Sequence, residues 1–253
     1  MIIQQIINGL TAGSVYSLIA VGYTLIFGVL GIINMAHGQI FLLGSLCGLM
    51  FSFKAGLHPI FSLIVSIVVS AILGVLLEFT ALRPLRKQKV PHLASLISTI
   101  GFAILIEEIT HILFGSDSHS VPDAGIPSFT FMGIMFRGID IFVILLSIIF
   151  MIFIRVFLKK TTAGKEIRAT AESAEIARLM GIHTNRIILL TVAISSGLGG
   201  LAGFLIGLSY SALSPAMGLT LGFKGLVALI VGGVGSIGGA MISGLLLGLA
   251  ETL

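Results

Sequence analysis

The feature that most constrains this chain is a succession of apolar runs with few charges, each long enough or nearly long enough to cross a lipid bilayer as a helix. They cover about residues 6–30, 36–53, 59–82, 91–114, 139–158 and 187–209, followed by a glycine-broken segment from about 220 to 253. At about 1.5 Å of rise per residue, roughly 20 residues span a hydrocarbon core of about 30 Å. Inside lipid the backbone must satisfy its own N–H and C=O groups, so the choice lies between a helical bundle and a closed β-barrel. Barrel strands read as short alternating segments, and these runs are continuous. Of the 253 residues, 57% are hydrophobic and 9% charged, against roughly a quarter charged in soluble domains. The sequence therefore predicts an all-α, polytopic helical membrane protein with about seven hydrophobic segments, forming a single transmembrane domain over 1–253. Residues 1–9 carry no side-chain cation and precede too long an apolar stretch to be a signal peptide.

The cations set an orientation. Of the 14 Lys and Arg residues, four lie in RPLRKQK (Arg83, Arg86, Lys87, Lys89) and seven between Arg155 and Arg186. By the positive-inside rule both segments face the cytoplasm. The loop 115–138, with Asp117, Asp123 and the single cation Arg137, then faces outward. Counting spans back from Arg83 places the N-terminus outside as well, unless 36–53 only dips into the membrane. The net charge of +4 follows from this asymmetry and calls for no nucleic acid. A single cysteine, Cys47, excludes an internal disulfide and any multi-cysteine metal site.

One charged island interrupts the apolar sequence, GKEIRATAESAEIARLMGIHTNR at 164–186. Read as one helix over 165–180, it places Ala169, Ser173, Ile176, Ala177 and Met180 on one narrow face. Arg168, Glu172, Glu175 and Arg178 take the other side, as i,i+4 and i,i+3 pairs, and Gly164 and Gly181 close the ends. Each charge near the bilayer centre costs roughly 2.5 to 3.5 kcal/mol, so the helix lies outside the lipid. Two readings fit: an amphipathic connector resting on the membrane, or a docking surface for a soluble cytoplasmic partner, which the small residues of the face suit better.

Polar residues within the spans are the other candidates. Glu107, Glu108 and His111 fall in the outer half of the fourth span; they either line a solute route or form an internal Glu–His pair near the interface. EITH matches half of a di-iron carboxylate motif, but no second copy exists. Asn34 and His37 are expected at the cytoplasmic junction of the first two spans, Asn34 as an N-cap and His37 in the first turn, or both as a gate lining. Glu78 is expected to pair with Arg83 or Arg86. The run VGGVGSIGGAMISGLLLG is expected to be either a discontinuous helix broken near Gly232, Gly233 and Gly235, exposing backbone to a solute path, or a tightly packed hairpin. No GxSxG or HExxH points to a membrane enzyme. A secondary transporter or channel would need ion sites or a charged pore, and has no use for the docking helix.

The opening NGLTAGSVYSLIAVGYTLIFGVLGIINMAHGQIFLLG, the stretch LFGSDSHSVP, the loop GKEIRATAESAEIARLMGIHTNRIILLTVAISSGLGGLAG and the ending VGGVGSIGGAMISGLLLGLAE occur in order between about residues 8 and 251. Together they resemble the permease subunits of branched-chain amino-acid ABC importers. The resemblance implies a non-catalytic subunit of the cell (inner) membrane that pairs with a second, related permease. Two ABC ATPases would bind the cytoplasmic loops and an external binding protein would deliver the substrate. This chain would hold no cofactor, ATP being used by its partners. The segment from Glu172 to Gly181 resembles the family's coupling segment, so that the island becomes a lever within a cytoplasmic loop of about 159–186. Permeases for urea and short amides look much alike, which leaves that substrate class as an alternative. Two departures stand out: Glu107 and Glu108 replace an expected amide or apolar pair, and the chain stops at LAETL within an apolar run where family members generally continue, which implies C-terminal truncation.

Overall fold

The computed structural model describes residues 2–54, 59–88, 92–121, 125–131 and 134–253. The apolar runs become helices with few shifts of boundary: α1 (Ile2–Leu30), α2 (His37–Lys54), α3 (Pro59–Leu77), α5 (His92–Phe114), α6 (Gly138–Lys160) and α9 (Thr184–Tyr210). Among the described residues, five helical stretches are long and apolar enough to cross a membrane: Ile2–Leu30, Pro59–Lys87, Leu93–Phe114, Gly138–Lys160 and Thr184–Tyr210. The third run leaves α3 through a π-helical turn, Glu78–Leu82, before the short α4 (Arg83–Lys87). Pro84 supplies no N–H and crowds the carbonyl one turn earlier, which a widened turn accommodates.

α1 and α9 form the centre, surrounded on almost all sides, while α3, α5 and α6 turn exposed Ile, Leu and Phe outward as a lipid-facing surface. Small residues set the packing. On α1, Gly9 and Gly13 meet Gly248 and Leu249 of α11 (Ile237–Thr252), and Ser17 meets Gly244. On α2, Gly44 and Gly48 sit against Ser66 and Ser70 of α3. Lipid offers no hydrophobic drive between helices, so close backbone approach supplies the attraction.

The two ends of the bundle differ. One carries Arg83, Arg86, Lys159, Lys160 and the helices α7 (Thr162–Glu172) and α8 (Ala174–Leu179). At the other, the strand β1 (His119–Ser120) pairs antiparallel with β4 (Ala212–Leu213), and β2 (Phe129–Phe131) with β3 (Ile134–Phe136). Arg137 clamps this end: its Nε and Nη2 donate to both oxygens of the fully buried Asp140 at 2.9 and 2.7 Å, and Nη1 donates to the Ser209 carbonyl at 3.4 Å. Hydrogen bonding to Asp140 raises the Arg137 pKa further.

The last apolar segment breaks at the expected glycines and takes the second of its two expected forms. It is a hairpin of two packed helices, α10 (Met217–Gly232) and α11, of 16 residues each, and not one helix interrupted along its axis. At about 24 Å each is shorter than the hydrocarbon core. Gly233 and Gly235 adopt φ of 89° and 86° in the connecting turn, and Gly232 lies so close to Gly239 that neither has room for a Cβ.

Candidate functional site

The site begins where α1 stops. The Gly31 N–H closes the helix on the Phe27 carbonyl at 2.7 Å, and a φ of 67° then turns the chain away. Asn34 caps the next turn, as its sequence suggested: its Oδ1 accepts from the Ala36 N–H at 3.0 Å and its carbonyl from the His37 N–H at 3.3 Å. The depth was not foreseen. Ile26 packs against Ile188 and Val192, putting the end of α1 at the basic end of the bundle, yet His37 already lies against Gly22 of α1 and Gly199 of α9. Gly22 precedes Leu30 by two helical turns, or about 12 Å. Similarly, the Met35 N–H donates to Thr99 Oγ1, seven residues inside α5, at 3.3 Å. Residues 31–36 thus climb back into the bundle, and Asn34 and His37 sit at depth instead of at a surface junction.

The His37 imidazole is fully buried, 4.6 Å from the Tyr23 ring, and among the described residues neither ring nitrogen has a hydrogen-bond partner. Asn34 Nδ2 and Gln39 Oε1 are buried and unpartnered too. Gln39 instead uses its amide N–H, which donates to Glu107 Oε2 at 3.1 Å. These two side chains border a pocket of about 260 Å³ together with Tyr23 and Gly38, closed elsewhere by apolar residues such as Met35 and Phe223. The pocket opens on the flank where Ile104 of α5 and Leu219 of α10 are exposed. It therefore offers carboxylate and amide oxygens set in an apolar wall, a chemistry suited to an ammonium group attached to a hydrocarbon.

The other acidic candidate separates from this group. Glu108 points to the exposed flank of α5 and has no hydrogen-bond or ion-pair partner among the described residues. His111 Nδ1 lies 3.2 Å from Ser116 Oγ, and among the described residues it pairs with neither Glu107 nor Glu108. Gly232, Gly233 and Gly235 sit at the exposed tip of the α10–α11 hairpin, away from Glu107. Glu78 does pair with Arg86, at 2.6 Å, and its side chain is almost wholly buried. Arg83 instead stacks over Phe79, 5.3 Å from the ring centroid. Sequence reasoning passed over Tyr23 and Gln39, although Gln39 is two residues from His37. It also missed a cluster within the spans in which Lys224 pairs with Glu251 while Tyr16 donates to Glu251 at 2.9 Å. A lysine alone in 187–253 was the available signal.

The charged island is two helices, not one. Ser173 leaves helical geometry (φ −158°, ψ 110°) and its Oγ accepts from the Ile176 N–H at 3.2 Å, so it ends α7 and caps α8. A serine able to satisfy a free N–H favours such a break over continuing the helix. Gly181, with φ 84°, closes α8 as expected: its N–H bonds to the Arg178 carbonyl and that of Ile182 to the Ala177 carbonyl. Gly164, however, is the third residue of α7, pressed against the Phe157 and Leu158 backbone, and Thr161 caps the helix. The break dissolves the proposed stripe. Ala177 is 2% exposed and turned into the protein, whereas Ile176, Leu179 and Met180 are 63%, 84% and 79% exposed. Ala169 is half-buried, Glu172 is exposed, and neither Arg168–Glu172 nor Glu175–Arg178 forms an ion pair.

Comparison with known proteins agrees with this architecture. Residues 5–253 match the family described as the branched-chain amino acid transport system / permease component. The high-affinity branched-chain amino acid transport system permease protein BraD of Pseudomonas aeruginosa is 35% identical over 98% of this chain and 85% of its own length. The corresponding permease protein LivH of Escherichia coli K12 is 34% identical over 99% of this chain and 85% of its own length. A probable LivH of Methanocaldococcus jannaschii is 31% identical over 93% and 76%. With a helical bundle of apolar spans and a pocket at depth bordered by Gln39 and Glu107, the chain belongs to the permease family of branched-chain amino acid transport systems.

Proposed function

We propose that this chain is one of two membrane-spanning permease subunits of an ATP-driven importer, and that it carries branched-chain amino acids from an external binding protein to the cytoplasm. The observation that carries the reading is the Gln39–Glu107 hydrogen bond at the edge of an otherwise apolar pocket. A branched-chain amino acid presents an ammonium group, which the carboxylate attracts, and a hydrocarbon side chain, which the wall accepts. The pocket opens on the flank between α5 and α10, and a second permease subunit would close it there. The subunit does no chemistry and holds no cofactor. Partner ATPases supply the energy through α7 and α8, with Ile176 and Met180 in contact and Ser173, Ala177 and Gly181 fixing the shape of the segment. Ala169 and Glu172 border the contact. The chain resides in the cell inner membrane, with the basic end cytoplasmic and Asn34 and His37 below the pocket, on the route inward.

The test is reconstitution with its partner permease, ATPases and binding protein in vesicles, measuring ATP-dependent uptake of radiolabelled leucine, valine, isoleucine and urea. Saturable leucine uptake that the other branched-chain amino acids suppress supports the assignment. Uptake of urea without leucine overturns it.

A further inference from the structure

At the basic end, far from the pocket of Glu107, a cleft of about 590 Å³ opens between the start of α4 and the turn that joins α8 to α9. Arg83 reaches it from α4, and Arg178, His183 and Arg186 from the other wall. No carboxylate lines it among the described residues. Arg83 Nε is buried without a hydrogen-bond partner, and the Arg186 side chain makes no hydrogen bond or ion pair among the described residues. Among the described residues, the Arg178 side chain bonds only to Thr184 Oγ1, at 3.3 Å. The N-terminus of α9, which has no side-chain cap, ends in the same cleft. Three guanidinium groups and a helix N-terminus converge on one space, which is a demand for an anion.

A second observation says what kind. The cleft shares Arg83, Asn185 and Arg186 with a notch walled by Phe79 and Leu189. Glu78 also lines that notch, but its carboxylate is occupied by Arg86 at 2.6 and 3.3 Å. Phe79, in the π-helical turn, ends an exposed apolar stripe that runs along α3, with Leu76 and Ile72 one and two turns before it. The arginines therefore sit where a lipid-facing helix surface stops, and an occupant that continues from the stripe into the cleft has a hydrocarbon tail and an anionic head. An acidic loop of a soluble partner matches only the head. The exposed apolar face of α8 is also on the opposite side of that helix from Arg178, so a partner docked there would leave the cleft open.

We infer that the cleft between α4 and the α8–α9 turn binds the phosphate of an anionic phospholipid, with the acyl chain along Phe79 and α3. The lipid ties the segment that carries α8 to the end of α3. The site is independent of which solute the pocket accepts.

The test is native mass spectrometry of the full chain, with whatever subunits purify with it, titrated with phosphatidylglycerol or phosphatidylcholine. The wild type should retain phosphatidylglycerol at concentrations where phosphatidylcholine is lost. Arg186→Gln, an exposed change that leaves the fold intact, should weaken retention roughly fivefold, and adding Arg83→Gln should weaken it further by a similar factor. Lys160→Gln, at the same end but outside the cleft, should have no effect, and unfolding temperatures should match. Equal retention in wild type and Arg186→Gln, or an equal loss in Lys160→Gln, overturns the proposal. Displacement of the lipid by millimolar inorganic phosphate makes this a site for soluble anions and also overturns it. So does release of an associated ATPase by Arg186→Gln with lipid retention unchanged.

Discussion

The Gln39 side chain reaches across from α2 and donates its amide proton to the Glu107 carboxylate of α5 at 3.1 Å, leaving its own carbonyl oxygen buried and free. A hydrogen bond to a charged group contributes roughly 1.5 to 3 kcal/mol net. If a substrate ammonium also uses this carboxylate, Glu107→Gln loses about that much binding and lowers uptake about tenfold or more. Glu108→Gln, on the exposed flank, should change uptake less than about twofold. Uptake at limiting leucine by reconstituted transporter decides; a normal rate in Glu107→Gln removes this residue from the solute path.

Gly22 and Gly199 hold the imidazole of His37 from both sides, and a Cβ built on Gly22 would come within 2.7 Å of Nε2. Gly22→Ala therefore forces the ring to move, or the helices apart, at a cost of typically about 1 to 3 kcal/mol. The loop 31–36 should loosen. Thermal unfolding of the purified protein should report a drop for Gly22→Ala, whereas Gly28→Ala, with open space around it, should leave the unfolding temperature unchanged or raise it.

The clamp at the opposite end makes an asymmetric prediction. Asp140 is fully buried and its partner Arg137 nearly half exposed. Arg137→Gln strands a charge inside, which places its cost near the lower end of the roughly 3 to 5 kcal/mol seen for broken buried pairs. Asp140→Asn leaves the uncompensated charge on the side that reaches water, and should cost less. Equal losses of stability would show that the pair acts through packing alone.

Orientation is open to thiol labelling in a Cys47→Ala background. A cysteine at Ser118 should react with an impermeant reagent added outside, and cysteines at Gln88 and Lys165 should not. These three positions are exposed in the structure. The opposite pattern inverts the map.

Run length and charge asymmetry are local properties, which is why the spans and the basic end could be read from sequence directly. The separation of Glu107 from Glu108 was legible too, since neighbours on a helix point about 100° apart. The depth of His37 was not. GIINMAHGQ reads as a junction between spans, and only the packing of Gly22 and Gly199 shows that the junction is drawn inward. The hairpin at Gly233–Ser236 likewise depends on close contact of Gly232 with Gly239, a pairing that composition allows without requiring. In the island, helical periodicity ran unbroken through Ser173, and the capping preference of serine was the signal that outweighed it.

That break moves the proposed coupling contact from a small-sided stripe to three large residues. Ile176, Leu179 and Met180 are spaced i, i+3, i+4 and are mostly exposed, an apolar face on a charged segment with nothing among the described residues to cover it. Buried anchors in an interface often cost 2 kcal/mol or more when removed, on the order of thirtyfold in affinity. Leu179→Asp should therefore release the ATPase from the purified complex, and Met180→Asp should weaken it. Arg178→Ala, on the far side of α8, should leave ATPase retention unchanged. Ala177→Trp does not discriminate, because Ala177 is packed inside and overfilling it disturbs the segment whatever docks there. If α8 instead rests on lipid, Leu179→Trp strengthens its hold on the membrane and Leu179→Asp leaves the ATPase bound. Full ATPase retention and uptake in both Leu179→Asp and Met180→Asp would mean that α8 is not the coupling contact.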